Sequence, residues 1–174
     1  SEFHQCYVST YSDDYPSLRT VVLRHANKEN LTISFHTDIR SNKINNINDN
    51  PNITVLLYSH DQKIQIQIKG RAEINNQNDR TSEAWKNIRP FSKKCYIVEK
   101  APGTKSDIPL SGYLPEHEKT LPDDEFLKNG YNNFALIDIK IEKLEWLYLH
   151  RYGHRRALFE IKNKEIKNKQ WLTP

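Results

Sequence analysis

Apolar and polar side chains alternate along most of this chain, with the period of two that is typical of β-strands. The clearest case lies around residue 66, where Ile64, Ile66 and Ile68 alternate with polar neighbours. Strands are predicted over four successive segments, Arg19–Arg24, Leu31–His36, Ile53–Tyr58 and Lys63–Ile74. The first half of the chain is therefore expected to be mainly β.

Three short segments have the period of an α-helix instead. The first follows Ser41, a residue type that caps helices, and it places Ile44 and Ile47 on one face. The other predicted helices are Asp79–Ile88, with a buried stripe of Ala84, Trp85 and Ile88, and Asp123–Lys128. The segment Ala101–Pro122 is rich in proline and glycine and is predicted to be a loop.

Alternation returns in the last third of the chain. It begins at Phe134 and changes phase near Glu142, which indicates a bulge or bend, and two more strands are predicted over Arg156–Ile161 and Lys164–Leu172. Many strands, few short helices and no β-α-β succession favour an antiparallel barrel, folded as one domain over residues 1–174. Only five glycines are present and none forms a phosphate-binding glycine loop, so a Rossmann-type site is not expected.

Composition narrows the class of partner. The formal charge of +4 favours an anionic partner without identifying it. The two cysteines are far apart and have no metal-ligand spacing, so neither a disulfide framework nor a metal site is expected, and a reducing cytoplasm is the default location. No apolar run approaches the roughly 20 residues that span a bilayer, and the N-terminal residues lack the apolar core of a signal peptide.

Three groups of residues could hold an anion without a glycine-rich loop, through cationic forks, hydroxyls and helix-terminal amides. They are Arg19 with Arg24, Thr37 with Ser41 and Lys43, and the segment from Trp146 to Arg156 with His154. The residues alone leave ordinary roles open for each group. The arginines could be a solvated strand edge, Ser41 a plain helix cap, and Trp146 a core residue.

The order and spacing of these groups resemble the pyridoxamine 5'-phosphate oxidase family. The series runs from RTVVLR through FHTDIRSNK, Gln65 with Gly70, and Arg89-Pro90 to Trp146, His154 and Arg156, and it covers the chain from about Arg19 to Pro174. No single piece is specific, but the whole series in one order is. The resemblance implies an antiparallel, Greek-key split β-barrel that binds flavin mononucleotide (FMN), and a homodimer with FMN at the interface.

Site residues follow from the resemblance position by position. The cofactor-binding residues it implies are Arg19, Thr20, Val21, Val22, Leu23, Arg24, His36, Thr37, Ser41, Asn42, Lys43 and Gln65, joined by Trp146 and Arg156 from the second subunit. Arg19 is expected among the phosphate ligands. A substrate anion is expected at Arg24, Arg89 and His154.

The departures from the family pattern concern the substrate more than the cofactor. Arg24 stands where the family usually has a lysine, and Asn42 stands where it has an arginine. Tyr152 replaces an arginine of the family pattern, and Trp85 replaces a tyrosine. Pro102-Gly103 stands in place of a glutamine and a serine that contact the flavin, as in a less characterised branch of the superfamily. These departures argue against pyridoxine phosphates as the substrate.

The function expected from the resemblance is that of an FMN-dependent oxidoreductase, which takes a hydride from a small anionic substrate such as a phosphorylated amine. No nucleic-acid or membrane partner is expected, and no catalytic triad. One alternative is a split barrel that binds flavin or haem without turnover. Another is a barrel that binds single-stranded nucleic acid, with Tyr58, Trp85 or Tyr148 as stacking platforms.

Overall fold

The alternating segments form strands in the computed structural model, which describes residues 2–174. The strands are β1 (Gln5–Thr10), β2 (Ser17–Asn27), β3 (Thr32–Asp38), β4 (Asn52–Ser59), β5 (Ile64–Asn75), β6 (Phe134–Tyr148), β7 (Arg155–Lys162) and β8 (Glu165–Leu172). The helices are α1 (Asn42–Asp49), α2 (Asp79–Lys86), α3 (Pro90–Lys93), α4 (Pro115–Glu118) and α5 (Asp124–Lys128). Short 3-10 helices lie at Glu2–His4, Lys94–Tyr96 and Asn129–Asn133.

Six of these strands close into an antiparallel barrel. Their order is β3-β2-β1-β4-β5-β6, and β6 pairs with β3 to complete the ring, while β7 and β8 continue the sheet beyond β6. Strand β4 returns to lie beside β1 after three strands joined in succession, which is Greek-key connectivity. Closure leaves no free strand edge within the ring. The predicted fold class, mainly β with a Greek-key barrel and a few short helices, is confirmed.

The chain divides into two compact units. The first, here called the barrel unit, comprises the residues up to His36 together with 46–73 and 137–174, and the second, the helical unit, comprises 37–45 and 74–136. The single domain expected over residues 1–174 stays a prediction.

The barrel unit is filled by the inward faces of its strands. Val8, Val55 and Ile139 are completely buried. A buried polar pair also joins β3 to β6: the Ser34 hydroxyl donates to a carboxylate oxygen of Asp138 at 2.5 Å. Because an unpaired buried hydroxyl or carboxylate is costly, this bond stabilises the particular pairing of β3 with β6.

The helical unit has an aromatic core. Trp85, Tyr96, Phe134 and Leu136 form a buried cluster, against which Ala84, Ile88 and Tyr131 pack. The predicted stripe of α2 therefore does face a core. Helix α2 starts at a capping box in which Asn78 accepts from the Thr81 backbone N–H and Thr81 accepts from the Asn78 backbone N–H.

One strand was missed from the sequence, and one change of phase has a simple structural counterpart. Strand β1 was not expected, because its inward residues include Cys6 and Thr10 and its alternation is weakly apolar. The bulge or bend expected near Glu142 stays a prediction; this residue lies within one continuous strand, β6. Residues 134–139 are buried on both faces, and pairing with β7 begins at Lys143, so the change of phase marks the end of the fully covered part of the strand.

Gly70 allows β5 and β6 to approach closely. A Cβ atom on Gly70 would lie 2.1 Å from the backbone oxygen of Lys140, an atom that cannot move without displacing the strand. We expect Gly70→Ala to lower the free energy of unfolding by at least about 3 kcal/mol. Urea denaturation measures this. The control Lys69→Ala, at the exposed neighbouring position, should change stability by less than about 0.5 kcal/mol, and equal losses in both variants would contradict the steric argument.

Candidate functional site

The segment Arg19–Arg24 lies in the middle of β2. Val21, Val22 and Leu23 are half-buried, whereas Thr20 and Arg24 are exposed. The register between β2 and β3 shifts between Leu23 and His25, which leaves Arg24 as an extra residue in a β-bulge. A bulge re-aims the side chain that it carries, so Arg24 departs from the regular alternation of its strand.

Arg19 is held within the barrel unit by three acceptors. Its Nη1 donates to Thr10 Oγ1 at 2.8 Å and to the Val8 carbonyl at 3.3 Å, and its Nη2 donates to the Ser17 hydroxyl. Asn46 also donates to Thr10 Oγ1, at 3.0 Å. Burial lowers the pKa of Arg19 from its ordinary value. Arg19 thus organises the end of the β1–β2 hairpin, whatever it binds besides.

His36 follows the buried Phe35 near the end of β3. Burial, and after it the positive charge of Arg24, lowers the pKa of His36 to about 4. The imidazole is therefore neutral at neutral pH. Arg24 remains the cationic member of this pair of neighbours.

Thr37, Ser41 and Lys43 form one compact group, which we call the hydroxyl–lysine cluster. Lys43 Nζ donates to Thr37 Oγ1 at 2.9 Å and to Ser41 Oγ at 3.0 Å, and the two hydroxyl oxygens are 3.3 Å apart. Both hydroxyl residues are buried. The sequence predicted this group, and the structure brings all three residues together within the helical unit.

An ion pair that the sequence analysis missed fixes the segment carrying this cluster. Arg40 donates to both carboxylate oxygens of Asp38, at 2.7 and 3.0 Å, and to the carbonyls of Val98 and Glu99, each at 3.1 Å. The hydrogen bond with Asp38 is the main cause that raises the pKa of Arg40. Ser41 in turn donates from its hydroxyl to the Asp38 carbonyl at 2.7 Å. The Asp-x-Arg-Ser order was the only signal for this arrangement.

Two further predicted cofactor residues lie on different elements. Asn42 is exposed and is the first residue of α1. Gln65 is half-buried on β5, in the barrel unit, and is opposite Tyr58 of β4.

Trp146 and Arg156 lie on neighbouring strands of the barrel unit but on opposite faces of the sheet. Trp146 is opposite Ala157 and Arg156 is opposite Leu147, so alternation directs the two side chains to different sides. Arg156 forms an ion pair with Glu145 at 2.8 Å. Within residues 2–174 its buried Nε has no hydrogen-bond partner.

The face that carries Trp146 has a cavity of about 250 Å³. The residues that line it are Trp146, Ala157, Phe159, Lys169, Gln170 and Trp171. The small side chain of Ala157, between two tryptophans whose ring centroids are 6.5 Å apart, leaves this space open. The lining is mostly apolar and aromatic, which suits a flat ring.

The three residues expected to hold a substrate anion are all exposed. Arg24 lies at the bulge of β2, and His154 lies in the turn between β6 and β7, where its Nδ1 accepts from the His150 backbone N–H at 3.1 Å. Arg89 belongs to the helical unit, directly before α3. Their exposure is compatible with ligand contact.

The described residues also bear on nucleic-acid binding, metal binding and membrane insertion. Trp85 is only 9% exposed in its aromatic cluster and cannot serve as a stacking platform for a nucleic acid. Among residues 2–174, no three His, Cys, Asp or Glu side chains are grouped so that they could hold a metal ion. None of the helices in the described part of the chain is long and apolar enough to cross a membrane.

The depressed pKa of His36 makes stability depend on pH. Unfolding restores an ordinary pKa of about 6.5, so the unfolded chain binds the proton first as the pH falls. The free energy of unfolding should therefore decrease between about pH 6.5 and 4. We expect a loss of about 2 kcal/mol, less than the full shift would give, since solvent screens a half-buried group.

Urea denaturation between pH 7 and 4.5 measures this loss. His36→Gln, which has no titrating ring, should show a shallower pH dependence, whatever its stability at pH 7. Equal slopes for the two proteins would assign the acid sensitivity to other groups.

The amino-acid sequence is similar to that of known proteins. Residues 1–76 match the family model of the pyridoxamine 5'-phosphate oxidase FMN-binding domain. A pyridoxine/pyridoxamine 5'-phosphate oxidase from Psychrobacter is 30% identical over 123 residues, which cover 71% of this chain and 51% of that protein. The protein of the same description from Bombyx mori is 25% identical over 173 residues, covering 96% of this chain and 65% of its own length. The chain thus spans about half to two thirds of these curated relatives.

The fold has a counterpart among solved structures. A pyridoxamine 5'-phosphate oxidase-related, FMN-binding protein from Nostoc punctiforme superposes with a TM-score of 0.78 at 18% identity, over 98% of this chain and 87% of that one. At this identity the likeness concerns the fold alone. Residues 1–76 therefore match the FMN-binding domain of the pyridoxamine 5'-phosphate oxidase family, and the chain has the same split-barrel fold as this FMN-binding protein.

Proposed function

We propose that this protein binds FMN and acts as an FMN-dependent oxidoreductase on a small anionic substrate. The observation that carries the proposal is the hydroxyl–lysine cluster, in which one ammonium and two buried hydroxyls converge within 3.3 Å of one another. The family match ends at residue 76 and includes this cluster. The family is defined by its FMN-binding domain, so the cluster is the natural candidate for the phosphate end of the cofactor.

The donors of the cluster fit a phosphate group. Lys43 supplies a positive charge, and Thr37 and Ser41 supply hydroxyls that can turn their protons toward an anion. The carboxylate of nearby Asp38 is already paired with Arg40 at 2.7 Å, so it does not cancel the charge of Lys43. A phosphate in this position would accept hydrogen bonds from Lys43 in place of the two hydroxyl oxygens. Hydrogen bonds to a charged acceptor are stronger than those to a neutral one.

The remaining proposed contacts come from the family pattern. Bound FMN would supply the redox chemistry, by accepting a hydride from the substrate. This chain would supply orientation: the β2 segment Arg19–Arg24 and Gln65 are proposed to line the cofactor. Arg24, Arg89 and His154 are proposed to hold the substrate anion.

We also propose that the active form is a homodimer with FMN at the interface, to which Trp146 and Arg156 contribute from opposite faces of the β6–β7 sheet. Two observations support this proposal. The buried Nε of Arg156 has no partner within residues 2–174, and an aromatic cavity opens beside Trp146. Both features suit contact with a group from outside the chain.

Comparing FMN with riboflavin tests the phosphate assignment, because the two differ only in the phosphate. Lys43→Met should weaken FMN binding about 10- to 100-fold, the loss of one charge-assisted hydrogen bond, and leave riboflavin binding unchanged. Flavin fluorescence titration of the purified protein gives both affinities. Lys86→Met removes the same charge from an exposed position of α2 and should alter neither affinity. A Lys43 variant that binds FMN as tightly as the original protein would exclude the cluster as the phosphate site.

Turnover is tested separately from binding. With FMN bound and oxygen excluded, a panel of small amines and reduced compounds that carry phosphate or carboxylate should include one that bleaches the flavin absorbance. For that compound, Arg89→Met should raise KM about tenfold, while FMN affinity stays the same. Stoichiometric FMN without bleaching by any member of the panel would favour the alternative of a flavin-binding protein that does not turn over.

A further inference from the structure

Residues 99–112 of the helical unit form a loop with tied ends. The Glu99 backbone N–H donates to the Gly112 carbonyl at 3.3 Å, and Gly103 and Gly112 have φ angles of +89° and +80° that favour glycine. In its second half, Ile108 and Leu110 are 65% and 54% exposed. A surface loop of this length whose ends lie close together has the form of an Ω-loop, a class that is frequently functional.

A single guanidinium joins the base of this loop to the segment that carries the hydroxyl–lysine cluster. Arg40 donates to the carbonyls of Val98 and Glu99, each at 3.1 Å, and to both carboxylate oxygens of Asp38. Asp38 is in turn hydrogen-bonded to Ser41 of the cluster: the backbone N–H and the hydroxyl of Ser41 both donate to the Asp38 carbonyl. The chain of contacts from the cluster to the loop therefore passes through two residues only.

The same ion pair sets the charge around the cluster. Asp38 is 6% exposed, and a buried carboxylate next to a bound phosphate would repel it unless it were paired. Arg40 provides that pairing and is itself only 26% exposed. A ligand that orders the cluster would also order Asp38 and Arg40, and through them the two carbonyls at the loop base.

We propose that Arg40 is a positioning residue which couples occupancy of the hydroxyl–lysine cluster by the FMN phosphate to the order of loop 99–112. This inference rests on the proposed FMN function. Loop 99–112 is then more ordered when FMN is bound than when it is absent. The FMN phosphate, and not the flavin ring, causes this difference.

Trypsin provides a direct readout, because Lys100 and Lys105 are exposed within the loop. Saturating FMN should slow cleavage after these two lysines by at least about threefold relative to cleavage after Lys119, which lies outside the loop. Riboflavin at the same occupancy should not slow it, since riboflavin lacks the phosphate. Mass spectrometry of the early fragments gives the rate at each site.

Two variants separate the charge of Arg40 from its tether. Arg40→Gln leaves Asp38 unpaired, so FMN affinity should fall about tenfold while riboflavin affinity is kept, and saturating FMN should no longer protect the loop. The double variant Asp38→Asn/Arg40→Gln removes the unpaired carboxylate. It should recover FMN affinity and still lack protection, because a glutamine amide does not replace the fork that holds both carbonyls.

The outcomes are distinguishable. If FMN protects the loop equally in the original protein and in the double variant, or if bound FMN gives no protection at all, the coupling through Arg40 is wrong while the FMN function stands. If FMN does not bind the original protein, the proposed function fails and this inference fails with it. Should Arg40→Gln not fold, as judged by circular dichroism, the double variant and the comparison of FMN with riboflavin still decide.

Discussion

The pairing of β3 with β6 is the contact on which the rest of this fold depends. It converts a row of strands into a ring, and it is fixed by a buried hydrogen bond between Ser34 and Asp138. Just outside this bond, the Ile141 backbone N–H donates to the Leu31 carbonyl at 3.0 Å. On its other side β6 accepts β5 only because Gly70 has no side chain. Strand β6 is thus held from both sides, and no edge of the ring is left to pair with another chain.

Within the helical unit, charge pairing decides what the hydroxyl–lysine cluster can bind. Two cations and one carboxylate lie along the short stretch from Asp38 to Lys43. Arg40 is paired with Asp38 at 2.7 Å, and the Lys43 ammonium contacts the Thr37 and Ser41 hydroxyls. The local preference for an anion therefore comes from one lysine and two hydroxyls, and it would be weaker if Asp38 had no partner.

The sequence was sufficient where the signal was local. Regular alternation predicted seven of the strands, and the short spacing from Thr37 to Lys43 predicted the cluster. Strand β1 was missed because its inward positions are not uniformly apolar. Arg40 was missed because its role depends on carbonyls almost sixty residues away, at the base of loop 99–112. The opposite directions of Trp146 and Arg156 follow from the register of β6 with β7, which residue spacing alone does not determine.

The two cysteines differ enough in their surroundings to make the protein convenient for labelling. Cys6 is 1% exposed, and burial raises the pKa of its thiol to about 11, so it is almost entirely protonated and inaccessible at neutral pH. Cys95 is exposed. A maleimide dye should therefore attach at one position, in the helical unit, without any substitution. Within residues 2–174, Cys95 is thus the attachment point from which fluorescence can follow the helical unit.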